Sequence, residues 1–342
     1  MSCSPSVSAV IAVYHPDPLF FRQAVSSVLE QTYPVRELII VNDGGNEGEV
    51  AALLPADSRI ILLTKNNGGI ASARNYAIQH CSGEYIAFLD QDDYWFRDKL
   101  EKQIALIPDA GGPCMIAAPV EIVDEGGMPI RKKTSLQLRQ YSEHLPGSNL
   151  LWHIASGNFI YSSTPLVCRS IFASAGGFDP AVQPHDDWDM YLRIIQSGAA
   201  VHLCGGAPLS AWRMHGSNES RKLAGMSRTK CRILRKLAES TQDSAFRKAV
   251  TCSYLIETLD RDHLLLYNTG RLHLFRNYVA AHTLQLMKSR GHAHANRLVR
   301  HLEAERIRKL MVKTARRVVL SYFFPPAAGR CLNPSGQSRP PH

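Results

Sequence analysis

The 342-residue chain is 45% hydrophobic and 20% charged, with a formal net charge of +9. That length suggests about two domains, and the apolar share excludes global disorder. No run reaches the roughly 18 consecutive apolar residues that a membrane span needs, and the eight cysteines form no Cys-x-x-Cys pair, which favours reduced thiols in a cytoplasmic setting over a disulfide framework or a zinc site.

The opening "MSCSPSVSAVIAVYHPD" has no basic n-region and only a short apolar run. It reads as a first strand, not a signal peptide. "DPLFFRQAVSSVLEQT" then predicts a helix with Asp17 as N-cap and Pro18 at its first position. "ELIIVN" is a second strand ending at "DGG", and "RIILLT" a third. "GGIASARNYAIQHC" is a helix with a Gly-rich entry, "EYIAFL" a fourth strand, and "YWFRDKLEKQIALI" a helix that Asp92 or Asp93 could cap. This βαβα rhythm predicts an α/β layer with a mainly parallel sheet flanked by helices. Residues 111–220 are less regular, with one clear helix, "DDWDMYLRIIQSG". Beyond them, "KCRILRKLAES", "AFRKAVTCSYLIETLDRDHLLLY" and "RLVRHLEAERIRKLMVKTARRVVL" read as amphipathic basic helices. The Pro-, Gly- and Ser-rich residues 325–342 read as a disordered tail.

Charge divides the chain. Residues 221–342 hold 24 Lys and Arg against 7 Asp and Glu, a surplus of +17, whereas residues 1–220 hold 15 against 23, a deficit of −8. A boundary near residue 220 therefore separates an acidic region, a helical basic region over 221–324, and the tail.

Ligands of open α/β sheets bind outside the carboxyl ends of the strands. Tyr14, Asp43 and Asp90 to Asp93 all fall there. Three carboxylates crowded into "FLDQDDYW" repel one another unless a cation sits among them. Mg²⁺ typically takes one or two carboxylates plus substrate phosphates; the competing account is a solvated loop with a helix cap. A second acidic group, Asp186, Asp187 and Asp189, opens a helix, where the helix dipole alone favours acids.

Seven pieces, in order from about Val7 to Ser220, resemble the family 2 glycosyltransferases of the GT-A (Rossmann-like) fold. They are "AVYHPD", "SVLEQTYPVRELIIVNDGG", "NNGGIASARNYAI", "GEYIAFLDQDDYW", "ASGNF" with "GGFDPA", "DDWDMYLRI" and "WRMHGSNES". The resemblance implies an inverting, metal-dependent transfer from a nucleotide-diphosphate sugar to a hydroxyl of a glycan or lipid-linked acceptor, as in bacterial surface polysaccharide or glycoconjugate synthesis. It implies that Tyr14 stacks on the nucleobase and that Asp43 accepts the N3–H of uracil or thymine. Arg74 would lie near the nucleotide, and Asp90 would contact ribose or metal. Asp92 would ligate Mn²⁺ or Mg²⁺, with His215 joining from a late loop. Asp187 would be the base. The family's usual Glu-Asp-Trp-Asp is Asp186-Asp187-Trp188-Asp189 here, which leaves Asp186 in doubt as an acceptor contact. Trp188 would line the acceptor pocket or fill the core, and Gly157 and Asn158 would belong to the acceptor-side loop.

The basic region after residue 220 is not covered by the resemblance. It fits contact with an anionic membrane surface on the cytoplasmic face, or a solvated helical subdomain that packs on the catalytic region or forms a homodimer. No recognition motif accompanies the basic stripe, which argues against nucleic acid. Two rival functions are a sugar-nucleotide nucleotidyltransferase and a non-catalytic nucleotide-sugar-binding protein. The first would carry a Gly-rich, Arg-containing loop where this chain reads "YHPDPL"; the second would be expected to have lost Asp92 or Asp187.

Overall fold

The computed structural model describes residues 4–108, 112–134, 150–151, 154–155, 157–216, 218, 223–243, 247, 250–251 and 254. The predicted strands are present. β1 (Val7–Val13), β2 (Glu37–Asp43), β3 (Ile60–Lys65) and β4 (Tyr85–Asp90) run parallel in the order β3-β2-β1-β4. Every residue of β2 is buried, and every residue of β1 except Ala12. Strands covered on both faces carry such unbroken apolar runs.

Helices α1 (Pro18–Leu29), α2 (Glu47–Ala51) and α3 (Ile70–His80) make the crossovers. Asp17 caps α1 as predicted, accepting from the N–H groups of Leu19 and Phe20, with Pro18 in the first turn. Phe21, Ala24, Val25 and Val28, spaced along one stripe, are buried. The sheet extends past β4 through β8 (Leu166–Cys168), β6 (Cys114–Ala117) and β9 (Ala200–Leu203), in that order, with β8 antiparallel to both neighbours.

A second sheet was not anticipated. β5 (Tyr94–Trp95) pairs antiparallel with β10 (Ser210–Arg213), which pairs parallel with β7 (Val120–Val123). It corrects the helix predicted from Tyr94. The chain is extended there because Tyr94 and Trp95 join β10, and α4 (Lys99–Ile104) starts only after Asp98. Neither Asp92 nor Asp93 caps it. Two further helices, α5 (Ser170–Ala175) and α6 (Asp186–Gln196), complete the region.

The chain divides into two compact units, Met1–Ile233 and Leu234–His342. The predicted helix over 230–240 is the latter part of α7 (Leu223–Ser240). Cys231, Ile233, Leu234 and Leu237 of α7 are buried. The predicted helices over 245–267 and 297–320 lie outside the described residues, four positions of the first aside, as does the tail. Among the described residues, no helix is long and apolar enough to cross a membrane.

Candidate active site

Tyr14, Asp43 and Asp90 gather at the carboxyl edge of the sheet, where strand order reverses about β1. Tyr14 lies just past β1 and is 49% exposed, so its ring is available to a flat ligand and is not core. Gln91 pins its backbone: Tyr14 N donates to Oε1 at 2.9 Å, and Nε2 donates to the Tyr14 carbonyl at 3.2 Å. The acidic loop after β4 is thus tied to the end of β1.

Asp43 is buried. Its Oδ1 accepts from Lys65 Nζ at 2.6 Å and from Gly68 N at 3.0 Å, and its Oδ2 accepts from Gly69 N at 2.7 Å. It therefore organises the glycine turn ahead of α3, a task the sequence reading missed. Gly69 has φ 81°, a left-handed value natural to glycine, and a Cβ there would meet Gln183 at 2.6 Å. Gly68 N also reaches Oδ2, at 3.2 Å, so both carboxylate oxygens are engaged by the turn.

The three acids of the loop have three different jobs. Asp93 is buried, accepting from Ser163 Oγ at 2.5 Å and from Arg213 N at 2.9 Å. Burial, then the charges of Asp92 and Asp90, push its pKa well above the usual carboxylate range. Asp90 accepts from Arg74 at 2.6 Å and from the Ser162 hydroxyl. Asp92 Oδ2 meets His215 Nε2 at 2.6 Å. Burial and the neighbouring Asp90 raise the Asp92 pKa, against which His215 works.

Arg213, which the sequence reading passed over, builds this corner. Its Nε donates to the Asp92 carbonyl at 3.0 Å and its Nη1 to the Glu125 carbonyl at 2.7 Å. Its guanidinium lies 4.4 Å over the Phe20 ring. The same segment presents His215, whose ring packs 5.6 Å from Phe20 and whose backbone N–H is held by Asn218 Oδ1 at 2.6 Å.

Among the described residues, no cluster of three or more metal-ligating side chains forms. The Asp92–His215 pair fits a cation that takes its other ligands from a diphosphate and water. Adjacent donors on an ion held at about 2.1 Å stand roughly 3 Å apart, so a small opening of the 2.6 Å contact would admit one. The carboxylate suits Mg²⁺ or Mn²⁺, whereas the imidazole is a poor ligand for hard Mg²⁺ and favours Mn²⁺ of the two.

The second acidic group is joined to the first through Arg74. This arginine is buried, with Nη1 donating to Asp186 at 2.7 Å and Nη2 to Asp90 at 2.6 Å, and its guanidinium lies 5.3 Å from the Phe178 ring centre. Burial opposes its charge, but Asp186, Asp90 and Asp187 outweigh that and hold it protonated. Arg74 is therefore neither a surface residue nor open to a nucleotide: it is the bridge between two acid clusters.

Asp186 is 3% exposed and paired with Arg74, so it is not an acceptor contact. Trp188 is 1% exposed, with its indole N–H on the Ile154 carbonyl at 2.7 Å; of its two predicted roles it fills the core. Asp189 is buried and bonded to Arg193 Nε at 2.7 Å. Asp187 alone of the group stays partly open. It accepts from Asn158 Nδ2 at 3.0 Å and from Trp188 N at 2.6 Å. Burial, then the charge of Asp186, push its carboxyl up to about 7. A base working near neutral pH needs that value. Gly157 sits beside Asn158, with open space where a Cβ would point; Ser156 lies outside the described residues.

The profile of glycosyl transferase family 2 matches residues 8–166. An uncharacterized glycosyltransferase of Rickettsia felis is 29% identical over 273 residues, covering 78% of this chain and 42% of that one. The UDP-Glc:alpha-D-GlcNAc-diphosphoundecaprenol beta-1,3-glucosyltransferase WfgD of Escherichia coli is 45% identical over 86 residues, 25% of this chain and 34% of that one. The chain thus spans well under two thirds of the length of these curated relatives. Among solved structures, S. aureus TarS 1-349 in complex with UDP-GlcNAc has a TM-score of 0.62 at 14% identity, covering 93% of this chain and 91% of that one. The mannosyltransferase PcManGT of Pyrobaculum calidifontis, in complex with GDP-Man and Mn²⁺, has a TM-score of 0.58 at 14% identity, covering 95% and 89%. These likenesses bear out the GT-A-type fold expected from the sequence. Fold, strand-end acids and profile agree over residues 8–166, the stretch of this chain that matches glycosyl transferase family 2.

Proposed function

We propose that this protein transfers a sugar, with inversion at the anomeric carbon, from a nucleoside-diphosphate donor to a hydroxyl of a glycan or lipid-linked acceptor. The observation that carries the reading is the Arg74 bridge. It joins Asp90 on the donor side to Asp186, the neighbour of a carboxyl whose pKa lies near neutrality. Asp92 and His215 would hold a divalent cation, Mn²⁺ or Mg²⁺. When bound, that cation supplies neutralisation of the charge that grows on the departing diphosphate. Asp187 would take the proton of the attacking hydroxyl, so one base suffices. Tyr14 would stack on the base and Asp43 would accept its N3–H, which favours a uracil donor, with thymine next. The UDP-Glc named for WfgD and the Mn²⁺ held by PcManGT support these choices.

The same reading assigns the chain to bacterial surface polysaccharide or glycoconjugate synthesis in the cytoplasm. Its basic region after residue 220, with a surplus of +17, would meet an anionic membrane surface. The test is a panel of UDP-, dTDP-, GDP- and CDP-sugars with the full chain and Mn²⁺, scored by protection from thermal unfolding and by nucleotide release. A UDP-sugar should protect most strongly and only with metal. If no uridine or thymidine donor protects, the reading fails.

A further inference from the structure

One stretch of chain touches both acid clusters. The Ile154 carbonyl accepts from Trp188 Nε1 at 2.7 Å, and Asn158 Nδ2 donates to Asp187 Oδ2 at 3.0 Å. A few residues on, the Ser162 hydroxyl donates to Asp90. Ser163 Oγ donates to Asp93 at 2.5 Å and accepts the Asp90 N–H at 3.1 Å. The far end is thereby anchored on the strand-end acids.

The orientation of the Asn158 amide is decided chemically. Its Oδ1 accepts the N–H of Ile160 at 3.1 Å. Only the oxygen can accept, so the NH₂ faces Asp187.

We propose that Asn158 is a positioning residue: its amide fixes the Asp187 carboxylate at the start of α6, and residues 157–163 tie that carboxylate to the donor-side acids. This rests on the reading of Asp187 as the base. Among the described residues, the Trp188 N–H also donates to the carboxylate, on Oδ1. The charges around it are Asp186 and Asp90, which favour a proton there, and Arg74, which opposes one. The His185 ring is turned onto Trp188, 5.6 Å between centres. Asn158, like the Trp188 N–H, is a neutral donor that favours the ionised base without adding charge.

Two variants separate this role from a merely local one. Asn158→Asp keeps an oxygen for the Ile160 N–H and nearly the same shape, but replaces the donor with an acceptor. Asn158→Ala removes both. The full chain, labelled with ¹³C at aspartate carboxyls, is titrated by NMR, with the Asp187 signal assigned by its loss in Asp187→Asn. Losing a hydrogen bond to the charged form should raise the Asp187 midpoint by about one unit in Asn158→Ala, and by at least as much in Asn158→Asp. The acid limb of nucleotide release from UDP-glucose with Mn²⁺ should move with it. An unmoved Asp187 midpoint in Asn158→Asp overturns the proposal even where thermal stability drops. If Asn158→Ala does not fold, Asn158→Asp decides. Retained nucleotide release in Asp187→Asn removes the base itself, and the proposal with it; loss of release there together with an unmoved midpoint defeats the positioning role alone.

Discussion

Arg74→Met isolates the bridge on which the site is built. The side chain of Arg74 is 4% exposed, as is that of its partner Asp186, whereas that of Asp90 is 26% exposed. Removing one partner of a buried ion pair costs about 3–5 kcal/mol, because an uncompensated charge stays behind. Water can take up part of the loss at Asp90, so most of the cost falls on Asp186 and the lower end, about 3 kcal/mol, is expected. Against a total of roughly 5–15 kcal/mol for a domain, that is a large fraction.

The sign with pH follows from the same groups. Asp186 and Asp187 already hold protons more tightly than ordinary carboxyls, burial being the main cause. The folded state therefore binds more protons than the unfolded one, and stability falls as pH rises through the window between the ordinary and the raised values. Without Arg74 that slope steepens. Urea unfolding of wild type, Arg74→Met and Arg74→Met/Asp186→Asn at pH 5 to 8 measures it. The single variant should lose most at pH 8 and least at pH 5, and the double should recover at least half the loss. Equal stability of wild type and Arg74→Met at pH 8, or a loss that ignores pH, would refute the reasoning.

His215→Ala should weaken the Mn²⁺-dependent thermal protection by a UDP-sugar about tenfold in apparent affinity, while leaving metal-free stability nearly intact; unchanged metal dependence would free His215 from that role. Nucleotide release should fall about tenfold per unit as pH drops below roughly 7, where Asp187 takes up its proton; a profile flat down to pH 5 would argue against a base there. Lys99 is wholly buried, its ammonium 4.2 Å from the Trp95 ring centre and bonded to Gln103 at 2.7 Å, and burial pushes its pKa down to about 7. The unfolded lysine keeps its proton to about pH 10.4, so stability rises with pH between those values. Lys99→Met should therefore gain roughly 2–4 kcal/mol at pH 7 and almost nothing at pH 10 in denaturant unfolding; a gain independent of pH would show that the lysine carries no such penalty.

The parallel half of the sheet was legible because β1, β2 and β4 are nearly continuous apolar runs bounded by turn residues, with Asp17 and Pro18 marking a helix start. The second sheet was not. β5 has two residues, and its partner strand begins at Ser210, so no local periodicity could reveal it. For the site, spacing and resemblance picked out Asp92, Asp187 and His215. They assigned the base to Asp187 and left Asp186 in doubt as an acceptor contact; only the packing shows that Asp186 meets Arg74. Arg74 pairs with acids 16 and 112 positions away, so its bridging role is invisible along the chain. Arg213 stood in a quoted motif beside His215, yet nothing in the sequence said that its guanidinium would reach the Glu125 carbonyl.

The most direct measurement compares Asp187→Asn with wild type, using Mn²⁺ and the UDP-sugar that protects the wild-type chain best. Thermal protection should be the same in both, because Asp92, His215, Asp43 and Tyr14 are untouched. Nucleotide release should fall by about a hundredfold or more, the usual worth of a positioned base. Release within a few-fold of wild type would contradict the account. So would an Asp187→Asn chain that folds normally and no longer binds the donor.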